Sequence, residues 1–275
     1  METWKAIAVG AIQGLAEFLP ISSSGHLKLF QIIYNIEGGT PLALEILLHI
    51  ATLVAVVVIY WRALFDMIRS PIKSDLKWLV LATIPAVIFA LAFKDAINAV
   101  ADSSYLGYFF LITCALLLIA EALANFQENR HGYVTWFDAL IMGVMQAVGV
   151  LPGISRSGAA ISGGLAAGLK RKEAADFAFL MSVPAVLGAG VMLLKDIYDL
   201  AKLNAVSMPA QFSSEIAILG GWQPVLIGFF TALVCGFAAI KIMLFVMRKA
   251  SLRWFAMYTG FLGGIVILWN FFGQG

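Results

Sequence analysis

The fold of this chain is organised around one polar stretch within apolar sequence, Gln13-Gly-Leu-Ala-Glu17-Phe-Leu-Pro-Ile-Ser-Ser-Ser-Gly-His26. It contains a carboxylate, three consecutive hydroxyls, an imidazole and a proline that ends helices. Ionisable groups at membrane depth are costly unless they face a cavity or one another. The stretch is therefore a candidate functional site.

A second copy of this pattern lies 133 residues further along the chain. The offset pairs Gly10 with Gly143, Gln13 with Gln146, Ile21 with Ile154, Ser22 with Ser155, Ser24 with Ser157 and Gly25 with Gly158. The second stretch, Pro152-Gly-Ile-Ser-Arg-Ser-Gly158, has Arg156 where the first has Ser23. The two stretches thus share a backbone pattern but differ in charge.

The composition is that of a helical membrane protein. Of 275 residues, 61% are hydrophobic and 12% are charged, whereas a soluble domain carries about 25% charge. Two cysteines and three histidines, without zinc-type spacing, predict neither a disulfide framework nor a zinc site. Residues 1 to 16 lack a small-residue cleavage site, so we expect them to be retained. Apolar stretches long enough to span a bilayer fall near 43–61, 78–97, 105–124, 173–194, 223–247 and 254–272.

The two motif segments, about 6–34 and 138–168, are interrupted in the middle by Pro, Gly and Ser. Each is predicted to form a re-entrant pair of half-helices that lines a cavity; the alternative is one long kinked span. Three spans lie between them, so the hairpins should enter from opposite faces. We therefore predict an all-α polytopic fold, a single domain over 1–275, with inverted repeats at about 1–125 and 138–275.

The distribution of Lys and Arg predicts an orientation. If the loop 62–77 is cytoplasmic, eleven basic residues lie inside and five outside, with Arg156 and Lys241 left at membrane depth. The segment of about 196–222 is then expected to be a polar loop on the outer surface.

The polar stretches suit a phosphate ligand. Gln13 and Glu17 share one helix face, and Ser22 and Ser24 fall where the next half-helix begins. Serines there cap a helix, and a helix N-terminus also attracts phosphate, so capping alone and phosphate binding both remain open. Arg156 between two serines could fork toward phosphate oxygens or serve only as a partner of Glu17.

Two histidines raise further possibilities. His26 lies one turn beyond the serines, which fits a nucleophile with its base, although a lone histidine is more often a satisfied core residue. Glu45 and His49 form another i, i+4 pair, which could be structural, could support the site or could bind an ion.

At these residues the sequence resembles the undecaprenyl-pyrophosphate phosphatase family of the bacitracin-resistance type. That family carries (Glu/Gln)-x-x-x-Glu, here Gln13 to Glu17, then Ser-Ser-x-Gly-His, here within Ser22 to His26. Its second motif, Pro-Gly-x-Ser-Arg-Ser-x-x-Thr, matches Pro152 to Ser157, but Ala160 replaces the closing Thr. The resemblance extends over essentially the whole chain.

The resemblance implies a hydrolase of the bacterial inner membrane that recycles the undecaprenyl lipid carrier, with its active site open to the outer face. It implies a divalent metal, Mg²⁺ or Ca²⁺, with Glu17 as a possible ligand, and a possible homodimer. A polyprenyl-phosphate transporter or flippase is the alternative function, since inverted repeats with broken helices are typical of transporters.

The catalytic residues that the resemblance implies are Glu17, Ser23, His26 and Arg156, with Ser23 the nucleophile and Arg156 the pyrophosphate anchor. The expected substrate-binding residues are Gln13, Ser22, Ser24, Gly153, Ser155 and Ser157.

Overall fold

The structure, a computed structural model, describes residues 1–36, 41–100, 103–126 and 130–272. Within these ranges the chain is helical, with no strand and only an isolated bridge between His131 and Leu169. The helices are α1 (Thr3–Phe18), α2 (Ser23–Ile33), α3 (Leu42–Arg69), α4 (Leu76–Ala92), α5 (Lys94–Val100), α6 (Ser103–Phe126), α7 (Trp136–Val148), α8 (Arg156–Ala167), α9 (Arg171–Leu203), α10 (Met208–Ile218), α11 (Trp222–Lys249) and α12 (Arg253–Phe272).

Five of the described helices, α3, α6, α9, α11 and α12, are long and apolar enough to cross a membrane. They coincide with five of the six predicted spans. The remaining prediction, 78–97, corresponds to α4, which has 17 residues and ends where Phe93 leaves helical geometry. The short helix α5 follows it. The all-α polytopic prediction is confirmed.

Both motif segments fold back as hairpins. In hairpin 1, α1 and α2, the ring of Trp4 near the start packs against Phe30 and Tyr34 near the end, with centroids 6.2 and 5.0 Å away. In hairpin 2, α7 and α8, the backbone N–H of Lys170 donates to His131 at 3.0 Å. A single kinked span would keep its ends apart, so that alternative is wrong.

The two hairpins begin at opposite ends of the molecule. The base of hairpin 2 directly precedes Arg171, where α9 starts. The far end of α9 is joined to α10 by a hydrogen bond from Asn204 to Gln211, at 3.0 Å. The base of hairpin 1 lies beside α10, because the amino group of Met1 donates to the Leu219 carbonyl at 2.6 Å. The polar turns therefore approach each other from opposite faces.

The packing of the hairpins is reciprocal. Helix α1 lies on α11 and α7 lies on α4, while α3 packs on α9 and α6 on α12. The paired glycines sit at these contacts: a Cβ on Gly10 would strike the Gly228 carbonyl, and one on Gly143 would strike that of Ala82. Such exchange of partners is what an inverted repeat produces, and the division into repeats at about 1–125 and 138–275 stays a prediction.

The segment 196–222 is largely helical, so the predicted loop is wrong there. Helix α9 continues to Leu203, and α10 follows after a short turn. Helix α10 buries Gln211, Glu215 and Ile216 against its neighbours, and Glu215 accepts a hydrogen bond from the N–H of Ala43 at 2.8 Å. The polar residues in this segment cap and join helices, which is why they resemble a loop in sequence.

Candidate active site

The first turn is built by Pro20 and three serines. Helix α1 ends at Phe18, and Ser22 then adopts φ 74°, a conformation that L-residues rarely adopt. From there its hydroxyl caps α2 by accepting from the N–H of Gly25 at 3.3 Å. This strained backbone lies at the site, where such strain is commonly found. It directs the first turn of α2 toward hairpin 2.

The second turn also places a serine cap at the start of its half-helix, but its positive φ falls on a glycine instead of the serine. Ser155 caps α8 by accepting from the N–H of Gly158 at 3.0 Å, and its own φ is ordinary. The positive φ of 97° falls on Gly153, where a Cβ would lie 2.8 Å from Phe109. The hydroxyl of Thr113 on α6 bridges this turn, accepting from the N–H of Ser155 at 3.1 Å and donating to the Gly153 carbonyl at 3.3 Å. Nothing in the sequence near Thr113 indicated this role.

The two turns meet. Ser157 donates to the carbonyl of Leu19 at 3.3 Å, and the N–H of Gly153 lies 3.5 Å from the hydroxyl of Ser24. Ser22 and Ser24, and likewise Ser155 and Ser157, form hydroxyl pairs at 3.4 and 3.2 Å. Ser22 and Ser155 thus cap the helices, and Ser24 and Ser157 join the two turns. The structure therefore shows the predicted capping. Phosphate binding by the same residues stays a prediction.

Glu17 is the centre of the polar contacts. One carboxylate oxygen accepts from the guanidinium of Arg156, while the other accepts from Ser23 at 2.7 Å and from Gln13 at 3.2 Å. Glu17 is only 7% exposed. A buried carboxylate needs such partners, and loss of one partner from a buried ion pair costs about 3–5 kcal/mol. The structure therefore brings Ser23, the predicted nucleophile, and Arg156, the predicted anchor, each into contact with Glu17.

His26 points elsewhere. Its Nδ1 donates to the Ser22 carbonyl and its Nε2 accepts from the hydroxyl of Tyr258, both at 2.7 Å. The ring stacks on Tyr258 of α12 and meets Phe110 edge-on. The base that contacts Ser23 is thus Glu17, and His26 steadies the backbone at Ser22. Tyr258, 232 positions away in sequence, has no counterpart in the motifs and was missed.

A cavity of about 550 Å³ opens at these residues. Its polar end is formed by the two turns, and its other walls come from α3, α4 and α9. The apolar walls include Val87, Ala90, Leu91, Ala189 and Met192. A polar head joined to an apolar arm suits an amphiphilic ligand with an anionic end.

Further polar groups line the same cavity. Lys28 and Gln31 lie along α2, and Glu45 and His49 lie at the start of α3. His49 donates from Nδ1 to the backbone carbonyl of Glu45 at 2.8 Å, so this pair is linked through backbone rather than through its side chains. Their function stays open.

The described residues contain no group of three or more acidic, cysteine or histidine side chains that could hold a metal. Both oxygens of Glu17 already accept hydrogen bonds from protein donors. The protein donors alone therefore do not make a Mg²⁺ or Ca²⁺ site, since these ions need about six oxygen ligands. The donor set fits a metal only where substrate phosphates supply further oxygens.

The comparisons with known proteins agree with one another. The family model described as "Bacitracin resistance protein BacA" matches residues 6–265. A protein named undecaprenyl-diphosphatase from Carboxydothermus hydrogenoformans is 37% identical over 98% of this chain and 97% of its own length. Proteins of the same name from Methanosphaera stadtmanae and Halothermothrix orenii are 35% and 36% identical, each over 98% of both chains. The chain therefore belongs to the bacitracin resistance protein BacA family.

Proposed function

We propose that this chain is a membrane phosphatase that hydrolyses undecaprenyl diphosphate to undecaprenyl phosphate and inorganic phosphate. The observation that carries the proposal is the contact of Ser23 with Glu17, whose other oxygen is held by Arg156, at the head of an apolar cavity. A nucleophile, a base and a phosphate anchor are thereby assembled in one place. The names of the relatives give the lipid.

The reaction proceeds in two steps. As the anionic diphosphate enters, Arg156 turns from Glu17 to the phosphate oxygens, and Glu17 is freed to accept the Ser23 proton. The Ser23 oxygen bonds to the terminal phosphorus while the bond to the bridging oxygen breaks, and the proton held by Glu17 passes to the departing undecaprenyl phosphate. Glu17, ionised again, then deprotonates a water that attacks the phosphoserine. The bond from phosphorus to the Ser23 oxygen breaks, and Glu17 returns its proton to that oxygen as inorganic phosphate leaves.

The cavity also suits the prenyl chain. Its apolar wall runs along α4 and α9, and Val87 and Leu91 on that wall are also exposed on the outside of the bundle. At Gly188, also on that wall, a Cβ would meet no atom within 4 Å, so there is space beside α9. We place the lipid tail along this wall, with its diphosphate at the turns.

The cavity extends from the turns toward the end of the molecule that holds α10, as Lys28, Glu45 and Met192 on its wall all lie toward that end. The excess of Lys and Arg in the loops of the opposite end supports placing the α10 end at the outer face of the bacterial inner membrane. The diphosphate would then be cleaved on the outer side. Labelling single cysteines at positions 28 and 73 with an impermeant maleimide in intact cells tests this, with 28 labelled and 73 protected.

A metal completes the proposal. Mg²⁺ or Ca²⁺ would be held by Glu17 together with the substrate phosphates, and would neutralise phosphate charge. His26 as a proton-transfer partner and a homodimer of the chain also stay predictions. Light scattering of the detergent-solubilised protein tests the dimer.

The test is phosphate release from undecaprenyl diphosphate by purified protein in detergent, with and without EDTA. We expect release that EDTA suppresses and that Ser23→Ala abolishes. A protein that binds the lipid without releasing phosphate, yet moves it between leaflets of a vesicle, would instead support the flippase alternative.

A further inference from the structure

Gln146 is a buried side chain with an unused donor. It lies on α7 close to the second turn and is 1% exposed. Its amide nitrogen, Nε2, has no hydrogen-bond partner among the residues that the structure describes. A buried amide that has lost its water without gaining a partner destabilises the fold. An unpaired amide at this position is therefore explained if a ligand accepts its hydrogen bond.

The position of Gln146 points to the site. Its side chain lines the main cavity together with Glu17 and Arg156. It also borders a smaller recess with Glu17, Arg156 and Ser157. The side chain with the unused donor thus borders the groups that handle the diphosphate.

Comparison with hairpin 1 explains why the donor is unused. Gln13 is the counterpart of Gln146, and its amide donates to Glu17, four residues on, at 3.2 Å. In hairpin 2 the residue four positions on is Val150, which has no side-chain acceptor. The part of the chain that the structure describes thus supplies no acceptor for this donor, and a bound ligand can supply it.

We propose that Gln146 binds the substrate, donating from Nε2 to an oxygen of the same phosphate that Arg156 holds. This inference deepens the proposed function and rests on it. A neutral amide adds a directed hydrogen bond without further charge, so it orients the phosphate between the nucleophile and the guanidinium. A hydrogen bond to an anionic oxygen is stronger than one between neutral groups.

The test is Gln146→Met, which keeps side-chain volume and removes the donor. We expect kcat/KM to fall about 10- to 100-fold, chiefly through KM, as befits the loss of one hydrogen bond to a charged ligand. The thermal midpoint in the absence of lipid should stay the same or rise, because the variant no longer buries an unpaired amide. The matched variant Gln13→Met should lower that midpoint, since Glu17 loses a donor.

A binding measurement separates this proposal from the proposed function. In the Ser23→Ala background, undecaprenyl diphosphate should bind about 10- to 100-fold more weakly after Gln146→Met is added. Equal affinity in the single and double variants would overturn the role of Gln146 while leaving the phosphatase intact. A midpoint that falls with Gln146→Met while KM is unchanged would also overturn it, showing a structural role. Absence of phosphate release from wild-type protein that still binds the lipid would instead refute the proposed function.

Discussion

Hairpins 1 and 2 share a backbone plan and differ in chemistry. Both place a serine cap at the start of their second half-helix, Ser22 and Ser155, and both pack a glycine against a crossing helix. At two matched positions they diverge: Glu17 and Ser23 in hairpin 1 stand where hairpin 2 has Val150 and Arg156.

The difference shows how a symmetric frame produces an asymmetric site. If both copies carried the carboxylate, two buried like charges would face each other at the turns, and each would disfavour ionisation of the other. With one carboxylate and one guanidinium, the halves neutralise each other before substrate arrives. Hairpin 1 then supplies the nucleophile and base, and hairpin 2 supplies the anion-binding groups.

The largest effect should come from the nucleophile of hairpin 1. Ser23→Ala removes the oxygen that attacks phosphorus, so kcat should fall by about 10³-fold or more, with the lipid still bound. Ser24→Ala should be less damaging, since the described partners of its hydroxyl, Ser22 and the N–H of Gly153, lie at 3.4 and 3.5 Å. Steady-state phosphate release measures both. Near-normal turnover in Ser23→Ala with a dead His26→Ala would transfer the nucleophile to the histidine or to a water that it activates.

The next largest effect concerns the anchor of hairpin 2. Arg156→Lys keeps the charge but cannot form the planar two-pronged contact with phosphate oxygens. We expect kcat/KM to fall about 10- to 100-fold, while the buried charge of Glu17 keeps a cationic neighbour and the protein stays folded. The measurement is kinetics with a parallel thermal midpoint. Wild-type kcat/KM in the lysine variant would show that only charge matters at this position.

Metal binding gives a third test. The two hairpins together contribute one carboxylate to the site, Glu17, so a metal ion needs most of its oxygen ligands from the substrate. Titration calorimetry should show Mg²⁺ binding at least about tenfold more weakly to the lipid-free protein than to Ser23→Ala protein loaded with undecaprenyl diphosphate, since phosphates supply most oxygen ligands. Calcium should behave alike. Tight Mg²⁺ binding without lipid would contradict this and would indicate ligands beyond Glu17.

The smallest expected effect concerns the packing that the two hairpins share, in which a glycine contacts the backbone of a crossing helix. Gly10→Ala and Gly143→Ala should each destabilise the protein by about 1–3 kcal/mol, because both methyl groups meet the backbone of a crossing helix. Gly264→Ala is the control, since its methyl group would meet nothing within 4 Å and alanine favours the helix. Thermal midpoints measure all three. A large loss for one of the paired glycines and none for the other would show that the two hairpins are not packed equivalently.

Much of this arrangement was predictable because its causes are local. Proline, glycine and serine interrupt an apolar segment at its middle, which predicts half-helices and a polar turn at Pro20 and at Pro152. The three spans between the two copies then predict that the turns come from opposite faces and meet. The sequence left two roles open for Arg156, binding phosphate or pairing with Glu17. The structure shows the ion pair with Glu17.

The parts that were missed depend on distant contacts. Tyr258 orients His26 across 232 positions, and Thr113 bridges the second turn across 42, and neither pairing leaves a local pattern. His26 follows the serines in sequence, yet its position on α2 turns it toward α12 rather than toward Ser23. The unused donor of Gln146 could have been noticed, since Val150 replaces the carboxylate that satisfies Gln13.

The most direct test of the central claim is to find where the phosphoryl group goes during turnover. Wild-type protein and Glu17→Gln would be mixed with undecaprenyl diphosphate labelled in its terminal phosphate, quenched separately in acid and in alkali, digested and analysed by mass spectrometry. Phosphoserine survives acid and phosphohistidine survives alkali, so the two quenches distinguish the residues. The account predicts label on Ser23 in the wild-type protein and loss of that label in Glu17→Gln, because that variant lacks the base that accepts the Ser23 proton. Label on His26, or full turnover with none on Ser23, would contradict it.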